Sequence, residues 1–317
     1  LKSEAGHRLS GAGPHLALLA VQLIFGTWPV FGKIALRELP SAGLVALRVG
    51  GAAAAFLLLR RLTGRLTPPR GADLWRLALY SLLGVVLNQF LFTQGLALST
   101  VVNATLLGTA IPVFALLVSV ALGRERLTVR SLLGTTVAAA GVVYLIDPLR
   151  ADLSGGKGFG NLLLLANTLC YGAYIAISQE VFRRYGALTA MTWVFALGSM
   201  AALPLGGYQL AQVPLWAISA TVWLTVLYII LVPTVGAYYL NAWALERVPP
   251  SVVAVYIYLQ PLVAFAIAPL VLGGAEGANE RTLAAALLIF AGVAIVTLGS
   301  RGGVMEEVSE HPDALGH

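Results

Sequence analysis

The sequence predicts an all-α integral membrane protein with ten transmembrane helices, arranged as two inverted five-helix repeats with both termini in the cytoplasm. Three observations carry this expectation. The composition is 58% hydrophobic and only 11% charged, against roughly 25% charged residues in a soluble globular chain. Apolar runs of bilayer-crossing length follow one another along the chain. Stretches of the first half also recur, in the same order, in the second.

About 20 apolar residues in a helix cross a bilayer. Runs of about that length occupy 14–36, 41–60, 73–96, 101–122, 128–147, 158–182, 187–207, 215–245, 250–272 and 281–300. The first follows a polar lead, LKSEAGHRLSGAGPH, and has no convincing small-residue cleavage site, so it reads as a retained helix and not as a signal peptide. Helix-stop and helix-start signals lie between runs: LPS at 39–41, TPPRGAD at 67–73, VPP at 248–250 and GGAEGAN at 273–279. Barrel strands are excluded, because they would be about ten residues long and alternate in polarity.

The gaps set the topology. With the N-terminus inside, the cytoplasmic segments carry fourteen of the twenty Lys and Arg residues, and the outer gaps carry four: Arg37, Arg150, Lys157 and Arg281. Lys33 and Arg48 lie within runs. That bias follows the positive-inside rule and supports the count of ten, because one helix more or fewer would break the alternation. The expected organisation is a cytoplasmic lead over 1–13, a first repeat over 14–147, an external linker over 148–157, a second repeat over 158–300 and a cytoplasmic tail over 301–317. The net charge of +6 and pI of about 9.6 do not indicate nucleic acid, because the basic residues are confined to short gaps between apolar runs. The single cysteine, Cys170, lies inside a run and reads as a small core residue.

GLALSTVVNATLLGTAIP (95–112) and ALERVPPSVVAVYIYLQP (244–261) share a layout at an offset of 149, with Leu96 opposite Leu245 and Pro112 opposite Pro261. LAVQLIFGTW (19–28) resembles LANTLCYGAY (165–174) at an offset of 146, and AAGVVYLI (139–146) resembles FAGVAIVT (290–297). Five helices per half is an odd number, so the second half enters the membrane from the opposite side. Inverted repeats of this kind build many secondary transporters, with the site near the midplane between the halves.

These features resemble the drug/metabolite transporter superfamily, specifically its EamA-type branch. The resemblance rests on the recurring GL-x(15)-P layout, on NQFLFTQGLALSTVVNATLLGTAIPVF (88–114) and on LREL-P-x(6)-LR (36–48), and covers about residues 14–300. The second half departs from the pattern with PP at 249–250 and GGAEGANE at 273–280. The resemblance implies transport of a small metabolite across the cytoplasmic membrane, with export of amino acids or related compounds as the expected activity. It does not transfer substrate specificity.

Polar side chains in hydrocarbon are costly and mark candidate sites. Arg48, in the second run, reads either as an anchor for a carboxylate or phosphate or a gate partner, or as an Arg snorkelling to the outer interface or bonded to a nearby carbonyl. Lys33 reads as a snorkelling side chain or a gate, with Gln179 as its repeat mate. Of the adjacent amides Asn88 and Gln89, at most one is expected to face a cavity squarely, and Gln89 pairs with Tyr238 in the repeat. Asn103 reads as a cap or turn residue. On the sixth run Asn167, Tyr171 and Tyr174 form a polar stripe, with Trp28 opposite Tyr174 in the repeat. In the second half Tyr238, Asn241, Tyr256 and Gln260 add hydroxyls and amides, and Tyr256 and Gln260 are expected to share a helix face. Aromatic walls with hydrogen-bonding tips suit small organic solutes; the competing reading is an interfacial belt, which suits Trp216, Trp223 and Tyr208 best. Pro112, Pro233 and Pro261 sit within runs and are candidate hinges or static kinks.

No carboxylate falls at mid-membrane, and all four His (7, 15, 311 and 317) lie in or beside the tails. No metal-ligand cluster, P-loop or catalytic set is present in the sequence, so no enzyme activity, metal or cofactor is expected. The expected partners are a small-molecule substrate and membrane lipid, in a monomer or a homodimer. The leading reading is a carrier working by alternating access through a central cavity as the two halves rock. The alternatives are an exchanger or importer of an anionic metabolite using Arg48 and Lys33, and, from another class, a lipid scramblase.

Overall fold

The computed structural model describes residues 12–64, 67–123, 128–146, 156–248, 250–273, 279–292 and 294–295. Most of the polar lead and of the linker, the end of the tenth run and the tail lie outside the described residues.

Among the described residues every regular element is helical, and eight helices are long and apolar enough to cross a membrane. They are α1 (Ala12–Ala35), α2 (Ser41–Thr63), α3 (Ala72–Leu98), α4 (Val101–Ala121), α6 (Lys157–Tyr185), α7 (Ala187–Leu210), α8 (Ala220–Leu245) and α9 (Val252–Leu272). Between them α5 (Val129–Ile146) is a shorter apolar helix, and α10 is helical over 280–292. Eight of the apolar runs coincide with the long helices, α5 falls within the run 128–147, and the described part of the run 281–300 falls in α10. Large apolar side chains cover the outside, among them Leu270 at 86% and Leu287 and Met200 at 73% exposure. A surface of that kind is solvated by lipid chains and not by water. Trp216 and Tyr208 are also exposed near helix ends.

Local chemistry sets the boundaries. Thr100 caps α4 by accepting the Asn103 N–H at 3.2 Å, and Ser219 caps α8 by accepting the Val222 N–H at 3.3 Å. Asn103 is therefore the partner of a cap, not the cap itself. Its own amide donates to Asn161 Oδ1 at 3.2 Å and ties α4 to the start of α6. Gly186 ends α6 and starts α7 with φ +77°, a left-handed conformation that favours glycine.

Four of the long helices are not regular. Wide π turns interrupt α3 at Leu82–Leu87 and α8 at Ile230–Gly236. In α4 the segments Val101–Gly108 and Ile111–Ala121 are separated by a turn at 109–110. In α9 a 3-10 turn, Tyr256–Leu259, precedes Gln260–Leu272. Pro112 and Pro261 stand in the first turn of the second segments, not mid-helix as the runs suggested. An amide N–H there has no intrahelical partner, so proline is tolerated and the break falls just before it.

Small residues let helices approach closely. A Cβ on Gly50 would meet Leu203 at 2.8 Å and one on Gly43 would meet Leu210 at 2.8 Å, which seats α2 against α7. Elsewhere α1 packs on α8 and α9, and α6 packs on α3 and α4. The helix ends are tied by polar contacts. Asp73 at the start of α3 accepts from Arg184 at 2.8 Å and from the Tyr185 hydroxyl at 2.9 Å, both at the end of α6. After α1, Glu38 accepts from the backbone N–H and the hydroxyl of Ser219, each at 2.7 Å.

The Ser219 N–H and then its hydroxyl hold the Glu38 carboxyl below its usual value. A carboxyl with a lowered folded-state pKa stabilises the fold above its unfolded value, about 4.3, and loses that effect as pH falls through the lower folded value. Glu38→Gln is therefore expected to melt below the wild type at pH 7, with the difference shrinking as the pH is lowered below 4. Melting curves in detergent between pH 3 and 7 measure this, and a pH-independent difference would contradict it.

Candidate functional site

The central cavity holds ≈ 550 Å³ of empty space, part of it open to the outside. Six helices and α2 supply its lining: Phe25, Trp28 and Pro29 from α1, Arg48 from α2, Asn88, Gln89 and Phe92 from α3, Ala104, Thr105, Gly108 and Ile111 from α4, Asn167 and Tyr171 from α6, Tyr238 from α8 and Gln260 from α9. The irregular turns of α3, α4, α8 and α9 lie next to these residues. Backbone interrupted at membrane depth is tolerated where it lines a cavity or is held by neighbouring polar groups.

Arg48 is 1% exposed, and it is the one charged side chain among the described lining residues. Its Nε donates to Thr234 Oγ1 at 3.1 Å, its guanidinium lies 3.7 Å from the centre of the Trp28 ring, and its Nη1 has no hydrogen-bond partner. The cause of this anchoring is local. Pro233 has no N–H to offer the carbonyl four residues back, that of Ile229. The Thr234 hydroxyl donates to that carbonyl at 2.6 Å, which leaves its oxygen free to accept from Arg48. Arg48 is thus buried and held, not snorkelling.

Thr234→Val keeps the shape but removes one donor to the Ile229 carbonyl and strands Arg48 Nε. A buried unsatisfied group costs about 1–3 kcal/mol, so the variant is expected to melt several degrees lower and to lose activity, with Thr234→Ser restoring both. Detergent melting and transport rates of the three proteins measure this; a Val variant equal to the wild type would contradict the anchoring role.

Tyr238 is the second organising group. Gln89 Nε2 donates to its hydroxyl at 2.8 Å, and the hydroxyl donates to Asn88 Oδ1 at 3.0 Å. The Asn88 carbonyl accepts from Asn167 Nδ2 at 2.8 Å. Both amides of the pair therefore reach the cavity, contrary to the expectation of one, because one phenol hydroxyl lies between them. Gln260 Nε2 donates to Gln22 Oε1 at 2.6 Å.

Of the remaining candidates, Tyr174 lies behind the lining, buried and tilted against Tyr171 with centroids 5.5 Å apart. Asn241 donates to the Tyr171 hydroxyl at 3.2 Å from behind. Tyr256 does not share a face with Gln260. The 3-10 turn has three residues per turn, so positions four apart diverge, and the Tyr256 hydroxyl meets His15 Nδ1 at 2.8 Å near the start of α1. Lys33, Pro112, Pro233 and Pro261 do not line the cavity. Sequence reasoning passed over Gln22, Phe25, Phe92, Thr105 and Thr234. Only Thr234 had a clear signal, a hydroxyl next to an intramembrane proline. No group of three or more His, Cys, Asp or Glu that could hold a metal occurs among the described residues.

A polar, aromatic-walled cavity inside a multi-pass helical membrane protein is the architecture a transporter needs. The chain belongs to the EamA-like transporter family, which it matches twice, over residues 13–146 and over 158–298. An uncharacterized transporter of Archaeoglobus fulgidus is 27% identical, over 78% of this chain and 85% of that protein. A protein of Streptantibioticus cattleyicolor described as a probable terminal-alkyne amino-acid exporter is 27% identical, over 74% of this chain and 77% of its own. A solved crystal structure, 22% identical, shares the fold with a TM-score of 0.63 over 92% of this chain and 99% of the other.

Proposed function

We propose that the protein is a secondary carrier that exports a small organic metabolite, an amino acid or a related compound, across the cytoplasmic membrane by alternating access. Its ten helices form two inverted repeats, over 14–147 and 158–300, with both termini cytoplasmic. The observation that carries this reading is the bond between Gln89 and Tyr238. The two residues are 149 apart, the offset that relates the halves. A residue that touches its own repeat mate lies on the axis relating the repeats, and here that point is in the wall of the cavity.

Further support comes from elements that recur at matching positions: the π turns of α3 and α8, the breaks before Pro112 and Pro261, and the double family match. The relative described as an amino-acid exporter supports the substrate class and direction. A lipid scramblase needs a polar groove facing lipid, whereas the exposed large side chains of α4 and α9 are Leu117, Leu262, Leu270 and Val271.

The test is counterflow in proteoliposomes with radiolabelled amino acids, amines and organic acids, which requires no assumed driving force. Saturable exchange of one class is the expected result. Silence in every class from folded protein, together with dithionite-accessible lipid flip, would replace the carrier by a scramblase.

A further inference from the structure

We propose that the cavity is a site for one organic monocarboxylate, whose carboxylate accepts from Nη1 of Arg48 while a flat apolar body lies among the aromatic rings. The inference rests on the carrier reading above and narrows its substrate from an amino acid to a related compound, a carboxylate that carries no ammonium group.

The state of Arg48 is the starting point. An isolated guanidinium in a membrane interior is costly, and such residues ordinarily pair with an acid or reach the interface. Arg48 does neither. It is 1% exposed, and no Asp or Glu stands among the described lining residues. Nε is taken by Thr234 and a face of the guanidinium by Trp28, and the buried Nη1 is left with no hydrogen-bond partner. A side chain held this way is pre-positioned, so little ordering cost remains when a ligand arrives. A carboxylate supplies what is absent, an acceptor for a charge-assisted hydrogen bond and a counter-charge.

The charge count sets the class. With one cation in the lining, a single negative charge makes the loaded site neutral. An ammonium is repelled. A zwitterion brings a second positive charge that meets only neutral acceptors in a low-dielectric site. A phosphate dianion exceeds the one cation present. The body of the ligand is set by Phe25, Phe92, Tyr171 and Tyr238, which with Trp28 wall the cavity. The same count has a transport consequence. The loaded carrier reorients with a neutral site, whereas the empty one carries Arg48 uncompensated, so exchange outruns net flux.

Four probes with the same ring separate the possibilities: 3-phenylpropionate, phenylalanine, 2-phenylethylamine and phenyl phosphate. Binding to the purified protein in detergent is read by calorimetry. The expected result is saturable binding of 3-phenylpropionate, with the other three at least tenfold weaker. Arg48→Gln weakens 3-phenylpropionate at least tenfold, and Arg48→Lys restores part of the loss. The ranking in the wild type needs no variant, so a misfolded Arg48→Gln leaves the test intact. Equal or tighter binding of the amine, the zwitterion or the phosphate, an unchanged affinity in folded Arg48→Gln, or no binding of 3-phenylpropionate overturns the proposal. In proteoliposomes, counterflow of 3-phenylpropionate is expected to exceed its net efflux at least tenfold. Exchange of an amine or zwitterion that Arg48→Gln does not alter overturns the carboxylate site and leaves the carrier. Binding of 3-phenylpropionate with no exchange of any solute overturns the carrier and leaves the site.

Discussion

Gly172→Val and Gly26→Val are each expected to destroy the assembled fold, and by the same collision. A Cβ on Gly172 of α6 would stand 2.9 Å from the Ala115 nitrogen and the Ile111 oxygen of α4, and 3.0 Å from Phe114 Cβ. A Cβ on Gly26 of α1 would stand 2.5 Å from Val263 Cβ and 3.1 Å from the Gln260 oxygen of α9. Gly26 and Gly172 are 146 apart, and Ile111 and Gln260, like Phe114 and Val263, are 149 apart. One contact is thus made twice: the mid-helix glycine of α1 or α6 against the first turn after the break in α9 or α4. The Ala115 nitrogen and the Ile111 and Gln260 oxygens are backbone, and the Cβ atoms of Phe114 and Val263 are fixed to it, so no rotamer change moves them. Overpacking a well-packed core costs about 1–3 kcal/mol, occasionally more, and here the strain also displaces Tyr171 or the Gln260 turn from the cavity wall. The expected readout is loss of the monodisperse peak in detergent chromatography, or a Tm many degrees lower. Gly207→Val, at a glycine whose Cβ would meet nothing within 4 Å, is the control and is expected to change little. A Gly172→Val protein that melts with the wild type would remove the packing argument.

That pair of contacts shows why so much of the fold was legible. LAVQLIFGTW and LANTLCYGAY keep a glycine at the same place because both helices press on a partner backbone there. Membrane burial left apolar runs that hydropathy reads directly, and intramembrane polarity singled out Arg48, Gln89 and Tyr238, which hold the centre of the cavity. The misreadings share one cause, the assumption that a run is one regular helix. Tyr256 and Gln260 part company at a 3-10 turn. Pro112 and Pro261 begin segments and do not bend them. Thr234 was passed over because its role exists only once Pro233 has freed the Ile229 carbonyl. Propensity and period say nothing about where a long apolar helix will change its turn, since neighbouring helices decide that.

The other large effect concerns which parts move. Rocking of the repeats as rigid halves would require α3 and α6 to separate, because they belong to different repeats. The packing argues otherwise. With α6 lying on α3 and α4, and α1 on α8 and α9, each group draws on both of the segments that match the family, 13–146 and 158–298. The groups meet where α6 reaches the end of α8: Gln179 Nε2 donates to the Leu245 and Val248 carbonyls at 3.0 Å, and Arg183 Nε donates to the Glu246 carbonyl at 3.1 Å. The neighbouring residue, Arg184, instead reaches Asp73 of α3 within its own group at 2.8 Å. Adjacent side chains therefore give opposite expectations. In a Cys170→Ser background, joining Arg183→Cys to Glu246→Cys with a short reducible cross-linker is expected to lower exchange more than tenfold, with recovery on reduction. Joining Asp73→Cys to Arg184→Cys is expected to leave exchange near the uncross-linked rate, although that link ties one repeat to the other. Rigid repeats predict the reverse, since Arg183 and Glu246 lie in one repeat and Asp73 and Arg184 in two. Counterflow before and after reduction decides between them, because each scheme allows only one of the two links to be harmless.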